Sequence, residues 1–498
     1  MQNVRIKIHF FFILMMSCCL FSTCKYDKAG PDYNEYPDDV GKIFVTKCAV
    51  AGCHNDASKD AAGGLSLITW DKMFEGGTTS ACVIPYRHDF STTCFYINTY
   101  PDLGVTLNPT MPLNKNRLSF DEVKKIENWI DAGAPNEDGL VKFSDNPARK
   151  KFYVANQGCD VVTVFDQQTL LPMRYIDIGN SGAIEAPHEI KVSPDGQYWY
   201  VVFYKGNAIQ KYRTSDDSYV GQAIINLNQP PTIIVGNWST FDITPDGNTA
   251  FVTDLSGSMS DIAEVNLNTL TVTHHVGFNS PHGSCVSPDG NFVYISEQTT
   301  SNTIYKIPVS DFSNPMEISV FSSTPSAYLS THQIEFSPDG SKYFVSCWGT
   351  SEVRVMDAAT DAFIAAIPVG ARPSEMEVSD TKNLLFVTCE DDTLSFPGKR
   401  GSIAIIDIAT NTQVNWSPIY TGHQPHGLDV DDDNHLVYVA NRNVVSGGPA
   451  PHHSTACGGR DGYITFIDMN THALLKTKSG TDKKVEVSVD PYEIAIKH

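Results

Sequence analysis

Glu189-Ile-Lys-Val192, Ser193-Pro-Asp-Gly196 and Tyr198-Trp-Tyr-Val-Val202 follow one another as an alternating run, a four-residue turn and a second run. Proline early and glycine last suit a tight reversal, and the flanking alternation is that of half-buried strands, so the stretch predicts a hairpin. The turn recurs as Thr244-Pro-Asp-Gly247, Ser287-Pro-Asp-Gly290 and Ser337-Pro-Asp-Gly340, and in degenerate form as Ser379-Asp-Thr-Lys382 and Asp431-Asp-Asp-Asn434. The spacings, 51, 43, 50, 42 and 52 residues, fall in the range of propeller blades. Six turns imply six inner strands, and Pro491-Tyr-Glu-Ile-Ala-Ile496 reads as a seventh. At the other end, Lys151–Asn156, Val161–Asp166 and Met173–Ile178 look like the second, third and fourth strands of a blade without a first. Pairing the two ends in one blade removes the open sheet edges and predicts seven blades over residues 151–498.

The repeated phrase, as in Leu436-Val-Tyr-Val-Ala-Asn441 followed by Gly462-Tyr-Ile-Thr-Phe-Ile-Asp468, resembles the tyrosine-valine-threonine-asparagine propeller repeat of bacterial exported proteins. That resemblance implies a fold and leaves the ligand open, because propellers host enzymes, binding platforms and structural modules alike.

Upstream lies a different signal. Cys48-Ala-Val-Ala-Gly-Cys53-His54 puts two thiols ahead of an imidazole, the arrangement that covalent haem attachment demands, although the spacer of four is longer than the usual two. Met111, in Asn108-Pro-Thr-Met-Pro112, is a candidate second axial ligand on a loop that prolines restrict. Ser119 and Glu122 form a capping box ahead of a helix that carries Val123, Ile126, Trp129 and Ile130 on one face and stops at Gly133. Taken in order, these features resemble the small cytochrome c domains of bacterial periplasmic and surface proteins. The resemblance spans residues 38–137 and implies one haem c, attached at Cys48 and Cys53 with His54 and Met111 on the iron. A Cys48–Cys53 disulfide beside a surface histidine is the alternative. The expected fold is therefore a small all-α cytochrome c domain followed by an all-β seven-bladed propeller, joined by a polar linker at 138–150.

Aligning the start of each inner strand gives His188, Phe241, His282, His332, Ser374, His426 and Tyr492, with His423 close by and His452 and His453 in the longest insertion. Four imidazoles from different blades would converge near one mouth of the central channel. They can hydrogen-bond backbone carbonyls there, or hold a second metal or an anionic ligand; the placement alone is similar to the copper-bearing propeller of nitrous oxide reductase. Glu189, Glu375 and Glu493, next in line, could add carboxylates.

The chain begins with Arg5 and Lys7, an apolar run over 8–16 and small residues and cysteines up to position 24, the pattern of a secretory signal peptide. Phe21-Ser-Thr-Cys24 resembles a loose lipobox, so residues 1–24 are expected to be a leader, Cys24 the lipidated residue and 25–37 a tether at the periplasmic or cell-surface face of a bacterial membrane. With 57 acidic against 36 basic residues the formal charge is −21, which disfavours nucleic acid and favours a cationic redox partner. No phosphate loop or dinucleotide fingerprint points to a nucleotide. Of the twelve cysteines, Cys82 and Cys94 are a plausible disulfide in an exported chain, whereas Cys285, Cys347 and Cys389 read as buried thiols. The expectation is an electron-transfer protein with a partner- or ligand-docking propeller. Its alternatives are a redox enzyme using the channel histidines and a non-redox surface binding protein.

Overall fold

The computed structural model describes residues 32–229, 232–257, 260–323, 327–451 and 457–497; the leader, Cys24, His452 and His453 lie outside them. Seven antiparallel sheets make up a seven-bladed propeller. The first six blades begin with the inner strands Pro187–Val192, Trp238–Ile243, Pro281–Val286, Thr331–Phe336, Pro373–Ser379 and Pro425–Asp431. In the seventh, Pro491–Ile496 pairs with Lys151–Asn156, followed outward by Val161–Asp166 and Leu171–Asp177, so the ends of the ring close as the sequence predicts.

The turn motif earns its recurrence through one aspartate. In the first blade Ser193 Oγ donates to Asp195 Oδ1 at 2.6 Å and the Gln197 N–H donates to the same oxygen at 3.0 Å, while Gly196 takes the positive φ of 68° that the turn needs. Thr244, Ser287 and Ser337 repeat the bond with Asp246, Asp289 and Asp339. The degenerate turns substitute a bridge between blades: Asp432 accepts from Ser379 Oγ and from Thr381 Oγ1, each at 2.5 Å. Behind the turns, apolar residues of adjacent sheets interlock. Phe152, Tyr438, Phe466, Ile494 and Ile496 form one such cluster across the seam of the ring.

The expectation of a small all-α cytochrome c domain is overturned. The chain is almost entirely β, and the region before the propeller has four short helices among the described residues: α1 (Asp38–Ile43), α2 (Trp70–Met73), α3 (Thr92–Ile97) and α4 (Phe120–Asp131), of 6, 4, 6 and 12 residues. Turns, 3-10 pieces and a π-helical stretch at Phe44–Cys48 connect them. Residues 53–66 and 98–118 are rich in Gly, Pro, Asn, Asp, Ser and Thr, whose side chains and backbone freedom compete with helix formation. Only α4 matches its sequence signal: Ser119 and Glu122 make both bonds of the capping box, and Val123, Ile126, Trp129 and Ile130 are buried. The indoles of Trp70 and Trp129 donate to the carbonyls of Ala134 and Pro135, pinning the chain where it leaves α4.

This region seats on the outer strands of the seventh blade. Phe90 stacks on Tyr175 with centroids 4.1 Å apart, Arg87 pairs with Asp177 at 2.7 Å, and Arg174 donates to the Lys142 carbonyl at 2.8 Å. Cys159 and Cys457, absent from the sequence expectations, form a disulfide from the seventh blade to the long insertion of the sixth. Cys82 and Cys94 are free buried thiols instead of a pair, and Cys285, Cys347 and Cys389 are buried and free as expected.

Candidate site in the propeller channel

Each inner strand of the first six blades carries a register shift near its start, between Pro187 and Ile190 in the first and at the equivalent place in the others. Such a bulge re-aims side chains. It turns a histidine and the residue after it toward the axis together, where a regular strand would send them to opposite faces. The bulge amides are not left unpaired. Gly283 N–H donates to Ser296 Oγ at 2.7 Å, and Ser296 Oγ donates in turn to the His332 carbonyl of the next blade at 2.6 Å. Gln333, Ser346 and the Ser374 carbonyl repeat this relay. Blade is thereby tied to blade at the level of the histidines.

The register also corrects one position. Trp238 occupies the place of Pro187 and Phe241 that of Ile190, so the second blade contributes Ser239, not Phe241, to the ring; Phe241 belongs to an apolar core between blades. The ring therefore reads His188, Ser239, His282, His332, Ser374, His426 and Tyr492. The four imidazoles do meet. Ring centroids lie 5.9 Å apart for His188 and His282, 4.2 Å for His282 and His332, and 6.2 Å for His332 and His426, with Tyr492 3.8 Å from His426 and 4.3 Å from His188. All four are buried. Burial, followed by the neighbouring imidazoles and the Arg442 or Arg372 guanidinium, holds His188, His332 and His426 far below the ordinary imidazole range, and burial lowers His282 to about 4, so the rings are neutral. His423 stands apart, with Nε2 3.1 Å from the Val445 carbonyl.

Beyond the histidines the channel widens into a cavity of about 240 Å³. Glu189, Glu375 and Glu493 line it as expected, and two residues further along their strands so do Asp242, Glu335, Glu377 and Asp429, around the single ammonium of Lys191. Sequence reasoning passed over this second tier. The signal was present, because the residue two before each of the six turns reads Lys191, Asp242, Cys285, Glu335, Glu377 and Asp429, with Ala495 at the equivalent place in the last strand. Burial, partly offset by Lys191, raises Glu189 to about 7; burial, with Lys191 opposing, raises Glu335 to about 8; and burial together with Glu189 raises Glu375 to about 8. Burial works against the charge on Lys191, but Asp242, Glu189, Glu377 and Glu335 together outweigh it and raise its pKa.

A carboxyl raised on folding makes the native state the better proton binder, so its stabilisation is complete below the unfolded value near 4.5 and is lost as pH rises through the folded value near 8. With chelator present, the denaturant midpoint of the parent should fall between pH 5 and pH 9, and that of Glu335→Gln should fall less. Parallel pH curves would show that Glu335 titrates as it does in the unfolded chain.

The segment read for haem lies outside the propeller, in the N-terminal region. Cys48 sits in the apolar cluster of Tyr36, Phe44, Trp129 and Ile130, and Met111 packs half-buried against the same cluster, its N–H donating to the Tyr96 carbonyl at 2.8 Å. Cys48 and Cys53 are free thiols. Burial, then the nearby Cys53, pushes the Cys48 thiol up to about 12. Following directly, His54 is anchored through its own N–H to the Cys48 carbonyl at 3.1 Å and through its carbonyl to the Leu67 N–H at 2.8 Å. Its Nδ1 is buried without a hydrogen bond of good geometry; burial lowers its pKa although the Leu65 and Ala62 backbones favour the charged ring, so the neutral form that can ligate a metal prevails.

No family model matches the chain, and no curated protein does. Among solved structures, Kuenenia stuttgartiensis hydrazine synthase is similar at 16% identity over 64% of this chain and 91% of its own, with a TM-score of 0.48. A functionally unknown protein from Desulfotomaculum acetoxidans DSM 771 is similar at 13% identity over 68% and 99%, with a TM-score of 0.49. Likenesses this loose carry no argument about activity, and the seven-bladed architecture rests on the strand order itself.

Proposed function

We propose that the chain is an exported electron-transfer protein that carries one haem c near its N-terminus and uses the propeller to dock a redox partner or ligand. One observation carries this reading: two unpaired thiols and an imidazole whose buried nitrogen lacks a hydrogen bond of good geometry fall within seven residues, on the edge of the apolar cluster that also receives Met111. A buried ring nitrogen left without such a bond costs about 1–3 kcal/mol, which a metal bond would offset. Cys48 and Cys53 would form the thioethers, and His54 and Met111 would take the two axial positions. Haem held this way supplies one-electron chemistry. The protein's own part is to fix the imidazole through its backbone bonds and to back the site with apolar side chains, which keep water away and tune the potential.

This reading needs no all-α fold, only the four donors and their apolar backing. Export to an oxidising compartment is supported by the Cys159–Cys457 disulfide, a bond that reducing cytosols do not keep, and lipidation at Cys24 rests on the leader pattern of the sequence alone. The charge of −21 favours a cationic protein partner.

The experiment is production in a host with haem-attachment machinery. Haem should stay with the chain through denaturing electrophoresis, at one per polypeptide, and the Cys48→Ala, Cys53→Ala double variant should retain none. Parent protein that emerges without covalent haem, in a host that matures other c-type proteins, would sink the proposal.

A further inference from the structure

Two of the four channel imidazoles rest on a neighbouring blade, while His188 Nδ1 and both ring nitrogens of His332 find no partner. His282 Nδ1 stands 3.3 Å from the His332 carbonyl and His426 Nδ1 stands 3.2 Å from the Tyr492 carbonyl, so each ring leans on the backbone of the equivalent position in another blade. For His332 the equivalent carbonyl is that of Ser374, which accepts from Ser346 Oγ at 2.9 Å. His332 is fully buried, and neither of its ring nitrogens has a hydrogen-bond partner. Its Nδ1 faces Glu375 Oε1 at 3.8 Å, too long for a hydrogen bond. His426 Nε2 is buried and unpartnered too. A neutral imidazole carries one donor and one acceptor, so leaving these positions unmet costs several times what one satisfied bond contributes. Something other than the protein backbone has to meet them.

We propose that His332, His426 and Glu375 bind a divalent transition-metal ion of the zinc type at the closed end of the propeller channel. One ligand atom from each of the three lies within 4.8 Å of the other two. Two imidazoles and a carboxylate form a borderline ligand set suited to zinc, and three protein ligands leave a coordination position open. Donors about 2.0–2.1 Å from one ion stand roughly 3.3 Å apart, so small side-chain rotations close the remaining gap. On one side of the site Asp242, Glu335, Glu377 and Asp429 line the cavity around Lys191, so an entering ion passes oxygen donors that can give up a proton to bind it. The opposite side is covered: Trp348 stacks on His332 at 4.3 Å, and Arg372 and Arg442 lie over Trp348 and Tyr492. An ion would therefore enter from the acidic side and stop at the histidines. This site shares no residue with the Cys48–Met111 region and does not depend on haem.

The test uses the full chain, stripped with chelator and titrated with Zn²⁺ alone. One equivalent should bind per chain and raise the melting temperature. Glu375→Gln keeps the shape of the side chain and removes its charge, so that variant should fold and lose more than the roughly 100-fold that outer-shell changes cost. His332→Gln should lose as much, and the two changes together should add little beyond either, because ligands of one ion act as a unit. His472→Ala, on the surface, should bind like the parent. No saturable binding by the parent, or unchanged binding by a folded Glu375→Gln, would overturn the site.

Discussion

Deleting residues 491–498 should abolish cooperative folding of the propeller. The strand Pro491–Ile496 is buried along its whole length and pairs with Lys151–Asn156 through Phe152↔Ile496, Tyr153↔Ala495 and Val154↔Ile494. Ile494 and Ile496 fill the seam cluster with Phe152 and Tyr438, and Tyr492 closes the histidine ring. Ile496 N–H donates to Asp429 Oδ2 at 2.7 Å, tying the strand to the sixth blade. Burial of two isoleucines and a tyrosine is worth about 4.5–9 kcal/mol at roughly 1.5–3 kcal/mol each. A whole domain is stable by about 5–15 kcal/mol, so the loss is of the same order as the total. The deletion also bares the inner edge of the seventh sheet, which invites aggregation. Thermal melting and size-exclusion elution report both effects. A truncated chain that melts and elutes like the parent would mean that this strand does not close the ring.

Met111→Ala should leave haem covalently attached yet change its ligand field. In the proposed haem site attachment would depend on Cys48 and Cys53, whereas Met111 stands on a separate loop held to Tyr96 through its N–H, so the two properties should separate by mutation. Alanine offers the iron no sulfur. The weak sulfur-to-iron band at the red end of the oxidised spectrum should vanish, and the potential should fall by on the order of 0.1 V, within the roughly 0.8 V that axial ligands command. His54→Ala should instead destroy the low-spin spectrum altogether. An unchanged band and potential in Met111→Ala would move the second axial position to another residue.

Most of the propeller was legible because its information is local and repeated. Each Pro-Asp-Gly turn places an aspartate that its own preceding Ser or Thr and its own following amide require, so the motif marks a hairpin wherever it stands. Closure followed from counting strands. What failed has a physical pattern. The bulge slipped the alignment of the second blade by two, putting Phe241 where Ser239 belongs, because a strand's regular alternation does not announce an irregularity. The second acidic tier went unweighed because a charged residue in an alternating strand is ordinarily on the solvent face, and a channel wall looks the same in sequence. The disulfide joins cysteines 298 residues apart, a distance over which spacing is silent. In the N-terminal region one capped helix was correct, yet motif order does not reveal how much of the intervening chain is turn.

The Cys159–Cys457 bond gives the ring a mechanical property. A propeller assembled from two chain ends has one seam, and tension on the N-terminal region enters the ring at Lys151, the first residue of a seam strand. Peeling from that end can proceed only until it reaches Cys159, where a covalent link crosses to the sixth blade and passes the force into sheets made from the far end of the chain. A molecule held to a surface by its N-terminus could thus be tugged without unzipping, its first fraying confined to a short stretch that can anneal again when slack returns.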